Sequence, residues 1–229
     1  MIKVDKIILN LFASHRSYKK PGVRLTVMNY FDPKPSPTSD QPNFKIEKKG
    51  PASESFLERN ISDFRQAMLF VKNLPYGRNQ NKEILTTVFS DNCGTCSTKH
   101  ALLKLLADEN GFKDLVLVIG IFKMGAANTP LVKNTLKNYQ LEFLPEAHNY
   151  LRYKGAIIDC TKINWGASAF EGDILEEIEI LPNQITAYKV DYHKKFIRKW
   201  LMKNKHVPYD PEQLWAIKEQ CIADLSNGT

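Results

Sequence analysis

Cysteine is scarce in this chain of 229 residues: only Cys93, Cys96, Cys160 and Cys221 are present. Four are too few for the disulfide framework on which small secreted domains depend. Long apolar runs are missing too, so no segment reads as a membrane span and no membrane partner is expected. Val4, Ile7, Ile8, Leu11 and Phe12 recur at helical spacing, interrupted by Lys6 and Asn10 and followed by no convincing cleavage site. They read as an amphipathic helix, not a secretion signal, and the expected setting is reducing and cytoplasmic. No internal repeat and no low-complexity tract occurs.

Acidic residues are outnumbered, 25 against 32 Lys and Arg, for a net charge of +7. The excess is clearest at Lys189, Lys194, Lys195, Arg198, Lys199, Lys203 and Lys205. Phe196, Ile197, Trp200 and Leu201 lie among them at helical spacing, which reads as a core-packed helix with a solvated basic face. No nucleic-acid-binding motif accompanies this charge, so nucleic acid is not an expected partner. A hydrophobic fraction of 43% and a charged fraction of 25% are those of an ordinary globular protein able to bury a core.

The chain is organised around residues 92–111. Ala101, Leu102, Leu105 and Leu106 define one apolar helix face, and Asn110-Gly111 supplies a left-handed stop. Gly94 and Thr95 stand where the chain must turn and the first N–H groups need partners. Cys96 therefore falls in or beside the first turn. Free N–H groups and the positive end of the helix dipole there favour a thiolate, the nucleophilic form.

Around this helix the pattern predicts an α+β fold. Val23–Val27 alternates as a strand. Residues 32–53, with Pro33, Pro35, Pro37, Pro42 and Pro51, read as a loop. Leu57, Ile61, Phe64, Met68 and Val71 predict one core-facing helix, broken after Leu74-Pro75. Residues 115–122 predict a strand buried on both faces. A short helix follows near 131–139, a hairpin over 149–161, an exposed strand at 174–181, and helices near 191–203 and 211–225.

A cysteine nucleophile needs a base, and the base needs an orienting group. A two-residue turn at Lys154-Gly155 sets Tyr153 opposite Ala156, and so Tyr150 opposite Asp159 and His148 opposite Thr161. His148, Tyr150, Ile157 and Asp159 then share one sheet face, with His148 and Asp159 about 7–8 Å apart across a diagonal. Asp159 can accept from one imidazole nitrogen while the other faces a thiol. Leu151, Ile158 and Cys160 fall on the opposite face, which makes Cys160 a buried bystander.

The run Gly94-Thr95-Cys96-Ser97-Thr98-Lys99-His100-Ala101-Leu102-Leu103, then a buried strand, then Pro145-Glu146-Ala147-His148 and Asp159-Cys160-Thr161, resembles the transglutaminase-like superfamily. The runs from Gly94 to Leu103 and from Pro145 to His148 also look like an uncharacterised bacterial branch of it. The resemblance covers about 70 residues, 92–161. It implies a papain-like/transglutaminase-like core with Cys96, His148 and Asp159 as nucleophile, base and orienter. Two features depart from the family: Ser97 stands where many members carry an aromatic residue, and the upstream oxyanion side chain has no clear match. The backbone N–H of Cys96 and the side chain of Asn92 are the oxyanion candidates, with Tyr76 a more distant one.

Other readings of these residues are available. Cys93-x-x-Cys96 at a helix start has thioredoxin-like spacing, but Val88-Phe89-Ser90-Asp91 makes a poor preceding strand. Zinc bound through Cys93, Cys96 and Cys160 would need Cys160 on the His148 face, which the hairpin parity denies, so no metal and no cofactor is expected. His100, one turn after Cys96, competes as base but has no nearby carboxylate in sequence. Lys99 is expected in solvent, and Trp165 in the core.

The expectation is one domain over residues 1–229, with a catalytic core at about 54–182 and a helical extension at about 190–226. Its chemistry would be acyl transfer from a peptide or protein amide through a Cys96 thioester. Water as acceptor makes a peptidase or amidase, and an amine makes a transglutaminase. The alternative is a catalytically silent interaction module on the same fold.

Overall fold

Helix formation begins at a proline. Pro51 takes the first helical position of α1 (Pro51–Leu57), where a missing N–H costs nothing. This shortens the loop expected over residues 32–53. Further along, the Glu109 carboxylate accepts from the N–H groups of Ala52 and Ser53 (3.0 and 2.7 Å), so an anion closes the positive end of α1.

The computed structural model describes residues 41–163 and 166–227. The expected helix at Val4–Phe12, the strand at Val23–Val27 and Trp165 lie outside the described residues. The described part of the C-terminal helices belongs to the same compact unit as the core, Ser39–Thr229.

The single helix expected from Leu57 to Val71 is two. Asn60 takes a left-handed φ of 60°, and Asp63 caps α2 (Phe64–Asn73) by accepting from the Gln66 N–H at 2.9 Å. A side-chain cap competes with helix continuation at Ser62-Asp63, although Ile61 between the two helices is still buried. Leu74 leaves the helical region because Pro75 follows it. After a short α3 (Thr87–Ser90) comes α4 (Cys96–Glu109), buried at every position from Cys96 to Leu103. Asn110 closes it and Gly111, at φ 72°, reverses the chain.

Among the described residues the architecture is α+β, with seven helices and one four-stranded antiparallel sheet. The strands are β1 (Leu115–Gly125), β2 (Phe143–Tyr153), β3 (Ala156–Ile158) and β4 (Ile174–Ile180), in the order β3-β2-β1-β4. Alternation sorts the two faces of β1. Leu117, Ile119 and Ile121 join the core with α1, α2 and α4. Val118, Phe122 and Met124 join a second core with α5 (Lys133–Asn138), α6 (Ala187–Lys203) and α7 (Pro211–Asn227). Exposed Glu176, Glu177 and Glu179 keep β4 an edge strand. The hairpin turns at Lys154 and Gly155, with φ 49° and 83°, and pairs Tyr153 with Ala156 and Leu151 with Ile158. No helix among the described residues is long and apolar enough to cross a membrane.

Candidate active site

The start of α4 is determined locally. Thr95 is extended, at φ −82° and ψ 172°, and its hydroxyl accepts from the Thr98 N–H while Thr98 Oγ1 accepts from the Thr95 N–H at 3.0 Å. This reciprocal cap makes Cys96 the first helical residue. Gly94 is needed beside it, because a Cβ there would come within 2.9 Å of Lys99 Cγ. Tyr76 pairs with Gly94 through a parallel bridge, which carries its phenol into the field of Cys96.

What the cysteine meets depends on where β3 leaves β2. Residues 153, 151 and 149 of β2 turn their N–H and C=O groups toward β3, but the pairing stops at Leu151–Ile158. The N–H of Asn149 is left without a strand partner, and it donates to the Cys96 thiol instead. The Asn149 side chain, on the α4 face, accepts from Ser97 Oγ at 2.9 Å and donates to the Val118 carbonyl at 3.0 Å. Ser97 is thus the pin between α4 and the sheet.

His148 lies on the other face, its ring edge-on to Phe170 and Phe122 with centroids at 5.0 and 6.1 Å. Its Nε2–H donates to Asp159 Oδ2 at 2.9 Å, which leaves Nδ1 for its hydrogen bond to Cys96. Asp159 Oδ1 accepts from the Thr161 N–H at 2.8 Å. The structure therefore brings Cys96, His148 and Asp159 into one connected chain. Cys160 sits in the opposite core, where burial first and the Asp159 charge second push its thiol up to about 12.

Lys99 contradicts the expectation of a solvated side chain. It is fully buried, and its ammonium donates to the carbonyls of Leu74 and Thr161 at 2.5 and 2.8 Å. One cation thus ties the segment before Tyr76 to the segment carrying Asp159. Burial holds its pKa down to about 8. A lysine at the fourth position of an amphipathic helix gives no sign of such a role, since only the closing of two loops over it makes it interior.

His100 also differs from the competing base that its spacing suggests. The Cys160 N–H donates to its Nε2 at 2.7 Å, so that nitrogen is unprotonated. Nδ1 then carries the proton and donates to the Cys96 carbonyl at 2.7 Å. Burial outweighs the nearby Asp159 and lowers His100 to about 4. It is a neutral strut between helix and hairpin.

Burial alone would raise the Cys96 thiol. The Lys189 ammonium, His148 and the Asn149 N–H outweigh it and bring the thiol down to about 6. Burial likewise disfavours charge on His148, but Asp159 and then the thiolate raise it to about 10. Burial acts against ionised Asp159 too, yet His148 holds it well below the usual carboxylate range. Both shifts run in the same direction, toward a thiolate at Cys96 and an imidazolium at His148. Lys189, from the first turn of α6, lies with Nζ 2.8 Å from Ser97 Oγ and 3.9 Å from Cys96 Sγ. The basic face expected to be solvated therefore gives up Lys189 to the site, and α6 begins four residues before the expected Asp191. No local signal could have found it.

Asn92 is exposed, at φ 49°, closing the turn after α3. That turn accounts for an asparagine without any part in an oxyanion hole. Cys93 is half-buried and, like the other three cysteines, free. Among the described residues no group of three or more His, Cys, Asp or Glu is placed to hold a metal ion. A cavity of about 390 Å³ is lined by Val116, Arg152, Glu177 and Glu179, and none of the triad residues borders it. Compared with protein-family models, with curated proteins and with solved structures, the chain matches none.

Proposed function

We propose that the protein catalyses acyl transfer from an amide through a Cys96 thioester, in a papain-like/transglutaminase-like arrangement. The observation that carries this is a single imidazole, His148, joined to a buried carboxylate on one side and a helix-start thiol on the other. The thiolate attacks the amide carbon, forming the C–S bond and moving the carbonyl π pair onto oxygen. The C–N bond then breaks, and the amine departs with the proton of the His148 imidazolium. Water or an amine attacks the thioester, neutral His148 takes its proton, and C–S cleavage restores the thiolate. Asp159 keeps His148 in the Nε2–H tautomer throughout.

The oxyanion donors in this reading are the Cys96 N–H and the Tyr76 hydroxyl. The first is a helix-start group with no intrahelical acceptor. The second lies in the field of both Cys96 and Glu146, and burial first of all raises its pKa, so it stays a protonated donor.

A peptidyl acyl electrophile, followed by mass spectrometry of the adduct, tests the proposal. Labelling at Cys96 that is lost in His148→Ala supports it; no adduct, or one indifferent to His148, overturns it. The second reading, a silent interaction module, is favoured by how closed the site is. Cys96 and His148 are 8% and 7% exposed. That reading predicts no adduct.

A further inference from the structure

We infer that the Cys96 site selects acyl donors bearing a carboxylate beside the scissile carbonyl, and that Lys189 is the residue that reads it. The inference rests on the acyl-transfer proposal and names its substrate class. Lys189 is half-buried, with Nζ on Ser97 Oγ and the Cys96 sulfur next in line. Among the described residues no carboxylate lies within ion-pairing distance of it. Its resting counter-charge is the thiolate.

Acylation removes that counter-charge, because a thioester sulfur is neutral. A half-buried ammonium left without an anion is costly, whereas a carboxylate brought in by the acyl group restores a charge-assisted hydrogen bond at that point. The surroundings supply no substitute. Arg78 and Lys218 share Glu219, at 2.7 and 3.0 Å, and buried Glu146 lies in the field of Lys218 and His193. Lys82 stands within electrostatic reach of Lys189, Arg78 and Lys218, and the one carboxylate acting on it is Glu219, which Arg78 and Lys218 already share. Lys189, Lys82, Arg78 and Lys218 thus outnumber Glu219 and Glu146 around the thiol, a cationic excess that favours anionic over neutral ligands.

Alkylation with iodoacetate and iodoacetamide tests this directly, because both consume the same thiolate and differ in one charge. The ratio of the two rates at Cys96, divided by that of glutathione, should exceed one by about tenfold at low salt and fall as salt screens the field. It should drop to near one in Lys189→Met, whatever that variant does to the thiol pKa, and below one in Lys189→Glu. Peptidyl chloromethyl ketones ending in glutamate or methionine separate the two sources of the carboxylate. A glutamate preference supports a carboxylate carried on the acyl side, whereas an iodoacetate preference with no glutamate preference overturns that acyl-side assignment. A normalised ratio at or below one for every pair, or one unchanged in Lys189→Met, overturns the inference while leaving acyl transfer intact. A Cys96 inert to all four reagents overturns both.

Discussion

Cys96 and Cys160 are both buried thiols beside the same Asp159–His148 pair, yet one is driven toward thiolate and the other away from it. The difference lies in what each sulfur faces. Cys96 stands at a helix start, at a sheet edge abandoned by β3, with an ammonium and an imidazolium in reach. Cys160 points into the apolar layer between α4 and the sheet, where burial and the Asp159 charge outweigh the fields of Lys72 and Lys99. Two histidines repeat the contrast. His148 is held protonated by the charges of Asp159 and the thiolate, while His100, with its ring centroid 6.3 Å away, is kept neutral by burial and accepts a backbone N–H at one nitrogen. Burial is common to all four groups, so it cannot be what makes a reactive site. The donors and charges placed around the group decide it.

Removing His148 should break the contrast most. In His148→Ala the Cys96 thiol should rise from about 6 toward the free value of about 8.5, and acylation should fall by about 10²–10⁴-fold. The pH dependence of iodoacetamide alkylation reads the first effect. In the wild type the rate should climb through about pH 6 as the thiol ionises and then stay level, and the imidazolium that the proposed reaction supplies to its leaving amine should persist to about pH 10. A wild-type midpoint already near 8.5 would erase the distinction between the two cysteines.

Asp159→Asn should fall between wild type and His148→Ala. The imidazole keeps its place but loses its anionic partner and the reason to hold its proton on Nε2. The same alkylation profile should show an intermediate midpoint. A midpoint above that of His148→Ala would mean that Asp159 acts on the thiol by some other route.

Lys99→Met tests the scaffold under the site. Two buried carbonyls would lose their donor, at a cost of about 1–3 kcal/mol in chemical denaturation. The sign of the pH effect follows from a folded pKa of about 8 against an ordinary 10.5. Between those values the unfolded chain binds more protons, so wild-type stability should rise with pH across that window, and the variant should lack the rise. A flat wild-type profile there would count against a buried ammonium.

The smallest effect is expected at the other sulfur. Cys160→Ala should lower stability by about 1 kcal/mol for the lost core volume and leave the Cys96 midpoint and labelling unchanged. A shift of that midpoint would tie the two cysteines together electrostatically and weaken the comparison.

Much of this site was legible before any coordinates, because it depends on rules that act over a few residues. The cap at Thr95 and the stop at Gly111 place Cys96 at a helix start through local hydrogen bonding and left-handed backbone. The period of two, with a two-residue turn at Lys154-Gly155, fixes the hairpin faces as far as Leu151–Ile158; the expected Tyr150–Asp159 and His148–Thr161 pairs do not form, and Asp159 meets His148 just beyond the end of β3 through a 2.9 Å hydrogen bond. The break between α1 and α2 is not legible in the pattern, because an apolar stripe from Leu57 to Val71 says nothing of a cap at Asp63 interrupting it.

Only the tertiary structure decided which groups tune the thiol. Lys189 arrives from a helix 93 residues beyond Cys96. Asn149 offers its N–H because β3 stops one pair too early to use it, and Lys99 is interior because two distant carbonyls converge on it. His100 and His148 look alike along the chain and are distinguished by one N–H of Cys160. Local patterns act through backbone geometry, which the neighbouring residues carry with them. Charge and protonation answer to whatever the fold brings within a few ångströms, and that is written nowhere along the chain.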